Sequence, residues 1–234
     1  MNYSLINEVV SRGLNPSTEF KDSGIECIGK TPAHWDVMRL KDTTNLYTGN
    51  SLNESEKECY GECCDVDSYT YIGSKNLGRG KSQINYDSGY HIPKSHTKFA
   101  VAHIGDTLIC IEGGSAGKKF GFVEQDVCFV NKLCCATTQL HKKFSFYYFT
   151  SYIFRNQFEQ QLQGMIGGVS LSKINVMSIS VPPIDEQIDI ADYLDKKTTE
   201  IDLNITAISK KIETYKRLKQ SLIDEVVTGK RKIH

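Results

Sequence analysis

Apolar and polar positions follow two different periods along this chain, and the change of period divides it. From Asp185 to Val227 there is neither proline nor glycine. Within that stretch Leu194, Ile201, Ile205, Ile208, Ile212, Tyr215, Leu222 and Val226 recur in steps of three and four. Ala191 and Thr198 fill two early slots and Lys219 a late one. This is the seam of a coiled coil sustained for about five heptads. Pro182 and Pro183 stop what precedes it, and Gly229 follows it. A helix of this length measures roughly 65 Å, too long for one small domain to cover its apolar stripe, so it needs a partner helix. Residues 36 to 180 read differently. Short β-rich runs (Tyr69–Ile72, Asp106–Ile111, Phe120–Val123, Val127–Val130) alternate with the turn-rich stretches Gly73–Lys81, Glu112–Lys119 and Gln163–Gly168. Phe144–Leu162 is aromatic-rich and expected to be one helix ending near Gly164, and Ile179–Val181 a last strand. The expected class is α+β: a globular domain followed by a long C-terminal helix that forms an antiparallel coiled coil.

Charge supports the helix. Asp185, Glu186, Asp189, Asp192, Asp195, Glu200 and Asp202 crowd its first half, against Lys196 and Lys197. Lys210, Lys211, Lys216, Arg217 and Lys219 crowd residues 210–219, against Glu213. Acid at the start and base towards the end complement the helix dipole. The whole chain has 234 residues, with 28 basic residues balancing 28 acidic ones. A nucleic-acid partner is therefore not advertised by net charge. Locally the balance is uneven: 54 to 67 is acidic, whereas 71 to 120 is mildly basic. The longest apolar stretch, Phe144 to Phe154, is too short to span a bilayer. The N-terminal sequence lacks the unbroken apolar run of a secretory signal, so the expected location is the cytoplasm, with no membrane association.

The eight cysteines form no C-x-x-C pair, and the adjacent pairs Cys63–Cys64 and Cys134–Cys135 suit tetrahedral zinc poorly. Free thiols in or near the core are the expectation, with no metal and no cofactor. Glu112–Lys119 has the composition of a phosphate-binding loop but lacks its first glycine, and Lys119 stands where a hydroxyl would hold magnesium. Val181-Pro182-Pro183-Ile184 lacks the polar and aromatic residues of an adenine-methyltransferase motif, and no glycine-rich cofactor fingerprint accompanies it. No nucleophile elbow and no nuclease acid–acid–lysine cluster is found. One internal repeat remains. Residues 4–11 read SLINEVVS and residues 221–228 read SLIDEVVT, with six of eight positions identical.

Several segments, in order, carry a family resemblance. They are Phe20 to Trp35 (FKDSGIECIGKTPAHW), Tyr71-Ile72-Gly73, Gly105-Asp106-Thr107-Leu108-Ile109, Leu171-Ser172-Lys173-Ile174, Val181 to Gln187 (VPPIDEQ), and Leu218 to Ile223 (LKQSLI). With them the chain resembles the DNA-specificity subunits of Type I restriction–modification systems. Cys27 departs from the pattern, standing where tryptophan is expected. A full-length member has two target-recognition domains held apart by two antiparallel helices, and this chain resembles its second half. The resemblance implies a division into a helix remnant and linker (1–19), a recognition domain (20–181) and a conserved long helix (182–234). It also implies double-stranded DNA, a methyltransferase subunit and a restriction subunit as partners. Catalysis, S-adenosylmethionine and ATP would belong to those subunits.

Recognition by loops follows from groove chemistry, because base edges differ in hydrogen-bond pattern while phosphates set orientation. The candidate DNA-contacting residues are Lys75, Asn76, Arg79 and Lys81 on one loop, Ser115, Lys118 and Lys119 on a second, and Gln163, Ser170 and Lys173 near a third. The seam from Leu194 to Val226 is expected to form a homodimer of antiparallel helices, setting acidic 185–202 beside the partner's basic 210–219. Two other classes fit part of the pattern: a small DNA-acting enzyme whose site is not apparent, and a coiled-coil module whose globular domain binds protein.

Overall fold

A computed structural model describes residues 3–61, 67–78, 83–162 and 167–228. In chain order the elements are α1 (Tyr3–Arg12), β1 (Phe20–Asp22), β2 (Lys30–Pro32), β3 (Asp36–Arg39), α2 (Leu40–Thr43), β4 (Thr44–Thr48), α3 (Glu54–Gly61) and β5 (Ser68–Ile72). There follow a short 3-10 turn at Ser74–Asn76, β6 (His91–Pro93), β7 (Val101–Ala102), β8 (Thr107–Cys110), β9 (Phe120–Phe122), β10 (Val127–Phe129) and β11 (Leu133–Thr138). The last elements are α4 (Lys142–Thr150), α5 (Tyr152–Leu162), α6 (Leu171–Asn175), β12 (Ser178–Val181) and α7 (Ile184–Val227). Residues Tyr3–Leu194 form one compact unit, and Asp195–Thr228 belong to another.

Two four-stranded sheets build the centre of the first unit. One has the order β6-β5-β10-β7, with β5 and β10 parallel, and the other is the antiparallel β4-β11-β8-β9. Side chains alternate across a strand, and here both faces find cover. In β10, Val127 and Phe129 join Ile72, Ala102, Leu108, Cys110, Leu133 and Cys135 in the core shared by the two sheets. Cys128 points the other way, into a second cluster with Tyr60, Tyr71, Ile92 and Phe99. Beyond β9 lie the aromatic helices, Phe122 meeting Phe146 at 5.6 Å and Phe120 meeting Phe154 at 6.1 Å between ring centroids. Two small antiparallel pairs, β1 with β2 and β3 with β12, complete the strands.

The expected single helix over Phe144–Leu162 is two helices. The chain breaks at Ser151, where the backbone is extended. The Ser151 hydroxyl then accepts from the Phe154 amide and donates to the Tyr148 carbonyl, starting α5 as a helix cap does. The acidic stretch near residue 54 begins with α3, which opens on a reciprocal cap: Glu56 N–H donates to Asn53 Oδ1 and Asn53 N–H to Glu56 Oε2.

The long helix α7 spans 44 residues. Its first turns are tied into the first unit. Glu186 accepts from the Trp35 indole at 3.0 Å and pairs with His34 Nε2 at 2.6 Å. Gln187 donates to the Pro182 carbonyl and accepts from the His141 amide. Ile190, Ala191 and Leu194 are buried there. Leu194, expected in the coiled-coil seam, thus belongs to the core of the first unit. Beyond it the seam lies open: Ile205, Ile208, Ile212, Tyr215, Leu222 and Val226 are exposed, and Ile201 is half-buried. Among the described residues no helix is long and apolar enough to cross a membrane.

Candidate nucleic-acid interface

The three loops singled out in the sequence are fastened to one another. The first follows β5 and contains the Ser74–Asn76 turn. The second, residues 112–119, joins β8 to β9. Lys119 Nζ donates to the Ser74 carbonyl at 2.8 Å, linking first to second. The second is linked to the third by a bridge between Glu112 and Gly168, by Gly113 N–H to the Gly167 carbonyl at 2.9 Å, and by Val169 N–H to the Ile111 carbonyl. Gly117 makes the second loop's tight fold possible. Its φ is +67°, and a Cβ there would sit 2.5 Å from a ring carbon of Phe158 on α5. The 112–119 segment is a hairpin turn between antiparallel strands. A phosphate-binding loop of the nucleotide-hydrolase kind instead leads from a strand into a helix, so that reading of the segment is set aside.

The candidate residues divide by environment. Lys75, Lys118 and Ser170 are exposed, and Ser115 is half-exposed. Neither Lys75 nor Lys118 has an ion-pair partner among the described residues. Ser170 shares a hydrogen bond with Ser172 at 3.0 Å. Lys119 is half-buried and engaged with Ser74, and Lys173 Nζ reaches the Gln161 carbonyl at 3.4 Å. Asn76 is only 4% exposed. Its Oδ1 accepts from the Gly73 amide and its Nδ2 donates to the Asn85 carbonyl, so its side chain holds the loop together. Arg79, Lys81 and Gln163 lie outside the described residues, as do Cys63 and Cys64. Gln83 and Asn85, not singled out in the sequence, are exposed and share a shallow concavity with Lys75.

The basic character of residues 71–120 is partly cancelled by the acidic stretch before it. Lys94 pairs with Asp67 at 2.8 Å and Lys98 with Glu56 at 2.5 Å. Among the described residues of 71–120, the lysines left without an ion pair are Lys75, Lys118 and Lys119, all on the loop cluster. Cys110, at the end of β8, anchors the second loop, its Sγ donating to the Glu112 carbonyl at 3.4 Å and its carbonyl accepting from the Gly117 amide. Cys128 and Cys134 are buried, and burial pushes their thiols up to about 12, far from reactive thiolate. Among the described residues no three His, Cys, Asp or Glu side chains converge as a metal-ligand set.

A strand scaffold thus presents fused polar loops that carry the exposed Lys75 and Lys118. The family model of the Type I restriction modification DNA specificity domain matches residues 32–214, and the chain belongs to that family. A chain from a structural study of complex assembly and conformational transition of the type I R-M system is similar in fold. Its TM-score is 0.65 at 18% identity, covering 94% of this chain and 50% of that one. The HsdS subunit from Thermoanaerobacter tengcongensis gives a TM-score of 0.63 at 19% identity, covering 95% of this chain and 49% of its own. The chain thus spans about half the length of these solved structures. No curated protein matches it.

Proposed function

We propose that this chain selects one component of a split double-stranded DNA site for a methyltransferase subunit and, in the full system, a restriction subunit, and does no chemistry itself. The observation that carries the reading is the fastening of three loops, distant in sequence, into one surface that bears the available cations Lys75 and Lys118. On this reading residues 20–181 are the recognition domain, 1–19 a helix remnant and linker, and 182–234 the spacer and dimerisation helix. The direct contacts are Lys75, Arg79, Lys81, Ser115, Lys118, Gln163 and Ser170. Asn76, Lys119 and Lys173 hold the loops in place, and Gln83 and Asn85 join the contact set. Two copies pair through antiparallel long helices, placing two identical readers about a two-fold axis and favouring a palindromic split site. The complex works in the cytoplasm, and S-adenosylmethionine and ATP are bound by its other subunits.

Mobility shift with and without the methyltransferase subunit tests this reading, since with zero net charge the chain alone should bind weakly and gain affinity in the complex. Arg79→Ala should relax base preference or weaken binding by roughly 1–3 kcal/mol. Lys118→Ala should weaken all sequences alike and lower the salt slope by close to one. Unchanged binding in both variants would refute the choice of loops. DNA cleavage by the purified chain with magnesium would favour the enzyme reading instead.

A further inference from the structure

The repeated octad, SLINEVVS at 4–11 and SLIDEVVT at 221–228, is not explained by DNA recognition. In the first unit the N-terminal copy is α1, packed on α4, α5 and β2. Its Ile6, Val9 and Val10 are buried, and the Oδ1 of Asn7 accepts from the Ile153 amide at 3.1 Å in the first turn of α5. That turn has amides without intrahelical partners and the positive end of a helix dipole. The C-terminal copy places Ile223, Val226 and Val227 at the positions of Ile6, Val9 and Val10, and all three are exposed. Asp224 stands where Asn7 stands, and a carboxylate suits the start of α5 better than an amide oxygen does. The two copies also share their internal bonding. Ser11 Oγ donates to the Asn7 carbonyl at 2.7 Å, and Thr228 Oγ1 to the Asp224 carbonyl at 2.6 Å.

We propose that the seat filled by α1 is a binding site for this helical octad, and that residues 221–228 of a second copy take it in exchange for α1. The exchange replaces an apolar triad by an equivalent one and an amide acceptor by a charged one, the low-cost substitution that underlies domain swapping. Delivery rests on the antiparallel pairing proposed above. Setting 185–202 against the partner's 210–219 brings the partner's octad opposite the first turns of α7. There Gly13, at the end of α1, lies against Trp35, which donates to Glu186. The seat therefore locks the helix pair at both ends, and α1 competes with that lock.

The test uses the full chain and a fluorescent peptide of residues 218–230, without DNA or methyltransferase, so its failure leaves the DNA reading untouched. A monomeric chain would sink the long-helix pairing while leaving the peptide result readable. Peptide binding should be saturable and at least tenfold tighter to Val10→Asp, whose α1 is driven from the seat. Ile6→Ala, a milder change, should shift it in the same direction if Val10→Asp does not fold. An unlabelled peptide of residues 3–13 should compete. Asp224→Ala in the peptide should weaken binding about fivefold, and Val227→Asp should abolish it. The proposal is overturned by absence of binding to every variant, by equal binding of the Val227→Asp peptide, or by failure of the 3–13 peptide to compete.

Discussion

Replacing Ile205 and Ile212 by aspartate probes the proposed pairing of long helices where the first unit contributes nothing. In the single chain Ile205 is 51% exposed and Ile212 48% exposed. Full burial of an isoleucine is worth about 1.5–3 kcal/mol, so covering the open half of each contributes about 1 kcal/mol. Two such residues in each of two copies give about 4 kcal/mol of pairing energy, or roughly a thousandfold in dissociation constant. Carboxylates placed in an apolar seam add to this loss. Sedimentation equilibrium over nanomolar to tens of micromolar protein reads the effect. Near-ultraviolet circular dichroism checks that the first unit, which contains neither residue, stays folded. The expected result is a wild-type dimer and a variant at least a thousandfold weaker. A wild-type chain that is monomeric at tens of micromolar, or a variant that pairs within tenfold of wild type, would refute the reasoning.

Two further outcomes follow from the first unit. Gly117→Ala forces a left-handed residue, costing about 1–2 kcal/mol, and pushes a methyl into Phe158, costing about 1–3 kcal/mol more. Urea unfolding should show a loss of roughly 2–5 kcal/mol, and a change below about 0.5 kcal/mol would rule out the close approach. The Lys98 ammonium beside Glu56, with the Asn53 amide, holds that carboxyl below its ordinary value of 4.5. Its stabilisation is therefore present above that value and is lost as pH falls through the lower folded-state value. Glu56→Gln keeps the capping acceptor and removes the charge. Its thermal midpoint should lie below wild type at pH 7, with the gap closing as pH falls through the lowered folded-state value; a gap independent of pH would contradict the assignment.

The helix α7 was legible because its signal is local. Three- and four-residue spacing, the absence of proline and glycine, the preceding Pro182–Pro183 and the charge gradient all lie within one segment. The strands around β5, β8, β9 and β10 were legible from β-branched and aromatic runs. By contrast β11 carries no such signal: its first four residues are buried on both faces, so no alternation marks it. The start of α3 could have been read from Asn53 and Glu56, a capping signature three residues apart. The break at Ser151 was hidden by an aromatic run that reads as continuous.

The class of elements, the apolar pattern of the long helix, the family and the positions of the three polar loops are all readable along the chain, because periodicity and turn chemistry are written in neighbouring residues. The tertiary structure alone decided which loop residues face outward. The Lys119–Ser74 bond spans 45 residues, and no local pattern encodes a partner at that distance. The same holds for Leu194, whose place in the heptad is a matter of sequence, whereas its burial depends on what α7's first turns pack against. Asn76 has the chemistry of a base reader, but Gly73 and Asn85 take up its amide, and only the folded loop brings all three together.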